Sequence, residues 1–179
     1  MIPAVILSVS ATLGSIIILT RIAVSTHSRT APKSLSERAA LEQTLLLRFR
    51  NTLLLCSTLF AVAVYFFIAP AAPYPWFIVG AWTLEYVGVI IAAILPAKGK
   101  TFYPHVAAAQ SMGAGMLLLA FAFWKNTTGV GSALELGLAL AMTIFAVLIY
   151  TDKCRYIFHE LAFIYLSHFT IVLAALLIA

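Results

Sequence analysis

Two ionisable side chains fall near the middle of long apolar runs, where a bilayer would have its midplane. Glu85 lies nine residues inside the run 76–95, and His168 lies nine residues inside the run 159–179. At about 1.5 Å of rise per residue, each is roughly 13 Å from one end of its run. A carboxylate at that depth is costly unless it is paired or hydrated. We therefore take Glu85 as the first functional candidate.

Glu85 and His168 together favour proton or cation chemistry. If their two spans adjoin, the imidazole and the carboxyl group could share a proton, and the pair could act as a relay or as a cation site. The alternative is a structural role, in which Glu85 is protonated and hydrogen-bonded to Tyr86, to Thr83 or to a neighbouring helix. Both roles stay open on the sequence.

Further polar side chains lie nearer the ends of the apolar runs. Gln110 and Ser111 are five and six residues inside the run 105–124, and we add them to the transport candidates. A second cluster is expected at one membrane face, made of His105, Asp152, His159 and Glu160.

Histidines and carboxylates are metal ligands, but the spacings HxxxH and ExxH do not occur, so we predict no metal site. We predict no cofactor, and keep a haem held between His105 and His159 only as an alternative. Glycine-rich phosphate loops, nucleophile elbows and CxxC pairs do not occur in the sequence either. An intramembrane enzyme that uses the cluster at the membrane face is one functional hypothesis.

The composition is that of an integral membrane protein. Of 179 residues, 63% are hydrophobic and 9% are charged, and the mean hydropathy is +1.05. Soluble domains carry roughly a quarter charged residues. The net charge of +5 does not indicate nucleic-acid binding, because the basic residues fall in short loops between apolar runs.

The apolar runs predict an all-α, polytopic protein with a single transmembrane domain. Ser34 and Glu37 have the spacing of a capping box, which predicts a juxtamembrane amphipathic helix that continues into the second span. The polar segment 25–50 is expected to be cytoplasmic. Six spans are predicted, at about 1–24, 51–69, 76–95, 105–124, 133–150 and 159–179.

Charge asymmetry predicts the orientation. If alternate loops face the cytoplasm, only Lys125 lies on the opposite side, and both termini are expected to be non-cytoplasmic. The loops after spans one, three and five, with their flanks, hold the other basic residues: Arg21, Arg29, Lys33, Arg38, Arg48, Arg50, Lys98, Lys100, Lys153 and Arg155.

Small side chains on the fourth span predict close helix packing. Ala107, Ser111 and Gly115 are spaced four residues apart, a pattern that lets another helix approach closely. In the loop that follows, Asn126 and Thr128 form an acceptor motif for N-glycosylation, which matters only in a secretory-pathway membrane.

Short matches in the second half of the chain carry a resemblance to a known family. They are Pro104 with His105 at the start of span four, residues 150–152 (Tyr-Thr-Asp) at the end of span five, and Tyr165 with His168 in span six. This portion resembles the low-temperature-requirement A membrane proteins. The resemblance implies a polytopic membrane protein in which His105, Asp152 and His168 are the residues to test.

Two functions of different classes follow. The first is a small transporter or channel-like protein, expected to be a homo-oligomer in the bilayer, that moves protons, cations or a small solute past Glu85. The second is a non-catalytic structural or assembly subunit of a larger membrane complex, with the small residues of span four as its docking surface.

Overall fold

All regular secondary structure in the described part of the chain is helical. The computed structural model describes residues 1–24, 34–152 and 155–179. The helices are α1 (Ile2–Val24), α2 (Leu35–Ala39), α3 (Gln43–Ala63), α4 (Ala69–Ala71), α5 (Pro75–Ile94), α6 (Phe102–Asn126), α7 (Gly129–Thr151) and α8 (Tyr156–Leu177). A π-helical turn, Val64–Ile68, joins α3 to α4, and a 3-10 turn, Gly99–Thr101, precedes α6.

The predicted all-α, polytopic fold is confirmed. Among the described residues, six helical segments are long and apolar enough to cross a membrane. The second segment differs most from its prediction, because it runs from Gln43 to Ala71. Its first residues are good helix formers that are not apolar, such as Gln43 and Arg48. Hydropathy therefore marks where a span becomes apolar and not where its helix begins.

The predicted capping box is present at the start of α2. The hydroxyl of Ser34 accepts a hydrogen bond from the backbone N–H of Glu37 at 3.2 Å. The backbone N–H of Ser34 donates in turn to Oε2 of Glu37, also at 3.2 Å. These two bonds satisfy backbone donors that the first turn of a helix leaves without intrahelical partners.

The prediction that this helix continues into the second span is wrong. Helix α2 ends at Ala39, and α3 begins at Gln43 after a break. The residues in the break include good helix formers, so intrinsic helix propensity does not explain why α2 ends there. The backbone N–H of Leu35 donates to Oε2 of Glu160 on α8 at 2.8 Å, and Leu35 and Ala39 are both buried. These contacts hold α2 against the bundle.

The six long helices form a closed ring in which neighbours in sequence are neighbours in space. Helix α1 packs on α3, α3 on α5, α5 on α6, α6 on α7 and α7 on α8, while α8 returns to α1. We call the end at which α1, α5 and α7 finish the basic end, because Arg21, Lys98 and Arg155 lie there. Side chains from five of these helices, α1, α3, α5, α6 and α8, meet in the interior of the ring.

Helices α5 and α6 approach each other more closely than side chains would allow. A Cβ placed on Gly115 of α6 would lie 2.5 Å from the backbone nitrogen of Glu85. A Cβ placed on Gly88 of α5 would lie 2.7 Å from the backbone nitrogen of Met112. Backbone atoms cannot give way as flexible side chains do. The two glycines therefore set the distance between these helices.

The contact surface of α6 is displaced from the predicted ridge. Gly115 lies in it, but Ala107 is exposed and Ser111 is half-buried. Ala108 makes the contact instead, since its carbonyl oxygen would lie 2.8 Å from a Cβ on Gly88. Residues four apart drift around a helix that has 3.6 residues per turn. The spacing therefore predicted the right helix, but of its three residues only Gly115 lies in the contact with α5.

Asn126 ties the end of α6 to the turn before α5. Its Oδ1 accepts from the backbone N–H of Tyr74 at 2.6 Å, and its Nδ2 donates to the carbonyl of Ala122 at 2.8 Å. The side chain is buried, at 7% exposure. Both ends of the amide are thus used inside the fold, which is a structural role rather than that of an exposed glycosylation acceptor.

Gly115→Ala should destabilise the fold by about 1–3 kcal/mol, because the added methyl group forces α5 and α6 apart. The measurement is the midpoint of thermal unfolding in mild detergent. The control is Gly137→Ala on α7, where a new Cβ meets no atom within 4 Å. Equal midpoints for the two variants would contradict the close contact.

Asn126→Ala should cost about 1–3 kcal/mol, because it removes the acceptor of the Tyr74 backbone N–H and unties the end of α6 from the turn before α5. The fraction of protein that stays monodisperse after stepwise heating measures the loss. Asn51→Ala, at an exposed position of α3, is the matched control and should behave as wild type. A loss of the same size in both variants would remove the role assigned to Asn126.

Candidate functional site

A small cavity lies in the interior of the ring, between α1, α3, α5, α6 and α8. Its volume is about 20 Å³, and Ser15, Ser57, Cys56, Glu85 and His168 are among the residues that line it. A polar cavity needs roughly 10–15 Å³ to hold a water molecule. The central cavity, as we call it, is therefore large enough for one water between a carboxyl group and an imidazole.

Glu85 enters this cavity from the middle of α5. The residue is 2% exposed, and its Oε2 has no hydrogen-bond partner. The two partners predicted from its own helix are engaged elsewhere. The hydroxyl of Tyr86 pairs with that of Thr58 at 3.2 Å, and the hydroxyl of Thr83 pairs with that of Tyr65 at 2.8 Å. Local bonding on α5 thus does not account for the buried carboxyl group.

His168 enters the same cavity from α8. It is 6% exposed, its Nδ1 has no hydrogen-bond partner, and its ring packs on Phe60 with 4.8 Å between ring centroids. The hydroxyl groups beside it in sequence bond to their own helix: Ser167 donates to the carbonyl of Ile164, and Thr170 donates to the carbonyl of Ser167. The imidazole is consequently positioned by packing and remains able to bond to a group in the cavity.

A much larger cleft lies toward the basic end, between α2, α6, α7 and α8. Its volume is about 470 Å³. Three residues of the predicted set line it, namely His105, Gln110 and Glu160, whereas Ser111 lines neither cavity. We call it the basic-end cleft. Its volume lies within the range of about 300–1,000 Å³ that is typical of ligand pockets.

Two side chains line both cavities. Met112 of α6 and Ile164 of α8 contribute to the walls of the central cavity and of the basic-end cleft. They therefore form the partition between the two spaces. Methionine is unbranched and adapts its shape more easily than other apolar residues, so Met112 is the more movable part of that partition.

The four residues of the predicted cluster at the basic end do not converge on one site. Nε2 of His159 lies 3.1 Å from Oδ2 of Asp152, and Glu160 accepts the bond from α2. His105 places its Nδ1 2.6 Å from the carbonyl of Leu95. Because a carbonyl only accepts, that ring nitrogen carries a proton.

The positions of these histidines and carboxylates concern two predictions, that there is no metal site and that a haem between His105 and His159 is only an alternative. Within the described ranges, no group of three or more His, Cys, Asp or Glu side chains could hold a metal ion. His105 and His159 lie on different helices, and each has its own partner, Leu95 and Asp152 respectively. A haem between the two histidines stays a prediction.

Sequence reasoning gave too little weight to Glu135. This residue of α7 is completely buried, and neither carboxyl oxygen has a hydrogen-bond partner. The predicted span began at 133 and placed Glu135 at its edge, but α7 begins at Gly129. Glu135 is thus six residues inside the helix, about 9 Å from its start. Gly129 and Gly131 concealed the start of α7, because glycine disfavours helix, and the available signal was an acidic side chain directly beside an apolar run.

Comparison of the chain with protein-family models, with curated proteins and with solved structures gave no significant match. The resemblance to the low-temperature-requirement A proteins therefore stays a prediction. The three residues that it singled out lie in different places: His168 lines the central cavity, His105 lines the basic-end cleft, and Asp152 pairs with His159.

Met112→Ala should connect the two cavities and increase the reactivity of Cys56, which lines the central cavity and is 7% exposed. The rate of Cys56 modification by a small methanethiosulfonate reagent measures this, in a Cys154→Ser background that leaves one thiol. We expect the rate to rise several-fold.

Met116→Ala is the matched control, because Met116 lines the central cavity but not the cleft. That variant enlarges the cavity without opening the partition, so the rate should stay near that of the background. If the two variants react equally fast, Met112 does not separate the two spaces.

Proposed function

We propose that this protein is a small membrane transporter that moves a proton or a small cation across the bilayer past Glu85. The supporting observation is the central cavity, where Glu85 from α5 and His168 from α8 line one water-sized space. Each residue has a buried polar atom with no hydrogen-bond partner. Ionisable groups in the membrane interior are costly, and they typically mark ion or proton pathways.

The route in this proposal begins in the basic-end cleft. A proton or cation enters there beside His105 and Glu160, and passes Met112 and Ile164 when the partition moves. It then reaches the central cavity, where His168 can accept a proton at Nδ1 and Glu85 at Oε2. One water in the cavity can carry the proton between the two groups, since a bridging water serves nearly as well as a direct hydrogen bond.

Glu135 is the candidate for the next step toward the opposite end. It lies near the start of α7, on the far side of the midplane from the cleft, and both of its oxygens lack a partner. Glu135, Glu85 and His168 are buried groups that can accept a proton, and Glu135 lies at a different depth from the other two. This distribution suits a relay better than a single bound ion.

The assembly-subunit hypothesis keeps part of the docking surface predicted for it, since Ala107 is exposed and Ser111 is half-buried. Gly115 packs against α5 of its own chain, so it is not available to a partner. The ring also encloses the cavity without a second copy. For any homo-oligomer or further membrane subunit we propose α7 as the contact. Only 17% of the residues in its most apolar stretch are buried, a smaller share than in the other five spans.

Glu85→Gln should reduce proton flux by about a hundredfold without abolishing it, because the amide keeps the shape of the side chain but cannot exchange a proton. The measurement is acidification of proteoliposomes that contain a pH-sensitive dye, with valinomycin and a potassium gradient as the driving force. Sodium and potassium flux are measured in the same vesicles, which decides between a proton and a metal cation.

Glu42→Gln is the matched control, since Glu42 is exposed before α3 and far from the cavity in sequence and structure. It should transport as wild type. Wild-type vesicles with no flux above background, or equal fluxes for wild type and Glu85→Gln, would each rule out the proposed role of Glu85.

A further inference from the structure

We infer that the basic-end cleft binds an amphipathic organic cation, with the positive group beside Glu160 and the apolar part directed toward the middle of the bundle. This inference goes beyond transport of a proton or small cation at Glu85. Binding in the cleft does not require that Glu85 exchange a proton, so the two proposals can fail separately.

The dimensions of the cleft fit an organic molecule rather than a simple ion. Its volume of about 470 Å³ greatly exceeds that of the central cavity, about 20 Å³. Along α6 its lining extends from Phe102 to Leu117. At the rise of an α-helix, this interval corresponds to about 22 Å along the bundle. A ligand that fills it must span from the membrane face to the middle of the apolar region.

The lining changes character along this length. Toward the basic end it contains His105, Tyr150, Tyr156 and Glu160, whereas the deeper part of α6 contributes small or apolar residues such as Gly113, Ala114 and Leu117. Polar groups at one end and an apolar wall at the other match an amphipathic ligand. Ligand sites commonly combine an apolar lining with a few placed polar groups that fix orientation.

The polar end of the cleft carries two acidic side chains. Glu37 and Glu160 line the cleft, and no Lys or Arg is among its described lining residues. Arg38, the nearest basic residue on α2, donates to the carbonyl of Ala23 instead of lining the cleft. The bond from Leu35 N–H holds Oε2 of Glu160 in place at 2.8 Å. A carboxyl group held in place favours a positive group over a negative one.

Aromatic rings beside the carboxylate strengthen this preference. Phe102, Tyr150 and Tyr156 line the same end of the cleft as Glu160. The faces of aromatic rings attract cations, and sites for substituted ammonium groups combine such rings with a carboxylate. An organic cation, whose charge is spread and weakly hydrated, gains more from these rings than a small metal ion does.

The test compares two probes of the same shape and opposite charge, tetraphenylphosphonium and tetraphenylborate. Binding is measured by equilibrium dialysis with the full chain in lipid nanodiscs, after subtraction of the signal from empty nanodiscs. We expect saturable binding of tetraphenylphosphonium and none of tetraphenylborate. Glu160→Gln should weaken cation binding by roughly tenfold or more.

The variants separate loss of charge from loss of fold. The amide oxygen of Glu160→Gln can still accept the bond from Leu35, so α2 stays in place. Ala114→Trp fills the apolar part of the cleft at an exposed position and should also weaken binding, with Glu160 intact. Glu42→Gln, an exposed carboxylate outside the cleft, should bind as wild type.

Three results would overturn the inference: no saturable binding of tetraphenylphosphonium, equal binding of both probes, or binding unaffected by both Glu160→Gln and Ala114→Trp. A choline lipid presents the same cation and apolar chemistry as a free amphiphile. If tetraphenylphosphonium binds in nanodiscs of uncharged glycolipid but is displaced in those of phosphatidylcholine, the cation site holds and its occupant is a lipid headgroup. If it binds equally in both, the site takes a free cation.

Discussion

The backbone contact between α5 and α6 is the constraint on which the rest of the structure depends. Gly115 meets the backbone of Glu85, and Gly88 meets the backbone of Met112. These two glycines therefore place the carboxyl group of the central cavity and the movable side chain of the partition at a fixed separation. Any side chain at either glycine would move Glu85 or Met112, so the packing of these two helices positions two residues of the proposed pathway.

The second feature of the fold is the number of buried polar atoms that it leaves without partners. Trp82 Nε1, Glu85 Oε2 and His168 Nδ1 are buried in the middle of the bundle, and both oxygens of Glu135 are buried in α7. In a folded protein such atoms are usually bonded, because each one left unpaired costs stability. Glu85 and His168 line the central cavity, where water or a transported ion can bond to them, which is the account we favour for these two residues. Trp82 and Glu135 line neither the central cavity nor the basic-end cleft.

Sequence reasoning predicted the features that depend on local composition. Hydropathy predicted the six spans, the spacing of Ser34 and Glu37 predicted the cap of α2, and residue counting placed Glu85 near the middle of its helix. Features that depend on tertiary contacts were missed or misplaced. The break after Ala39 follows no local signal, and α2 is held in place by the burial of Leu35 and Ala39. The use of Ala108 results from how α6 is rotated against α5.

The cavities themselves could not be predicted, since their walls combine residues from helices that are distant in sequence. Met112 and Ile164 are ordinary apolar residues in their own spans, and only the packing of α6 near α8 gives them a role. Likewise, Asn126 matched a surface motif in the sequence, yet its amide is buried against Tyr74. Local patterns identify residue types, whereas the ring of helices decides which of them meet.

The central claim is that Glu85 and His168 act as one unit, and a double-mutant cycle on proton flux tests it most directly. The measurement compares wild type, Glu85→Gln, His168→Gln and the double variant in proteoliposomes. Groups that act in one step are strongly non-additive. We predict that the double variant loses no more flux than the more impaired single variant. Two losses that multiply independently would contradict a shared site in the central cavity.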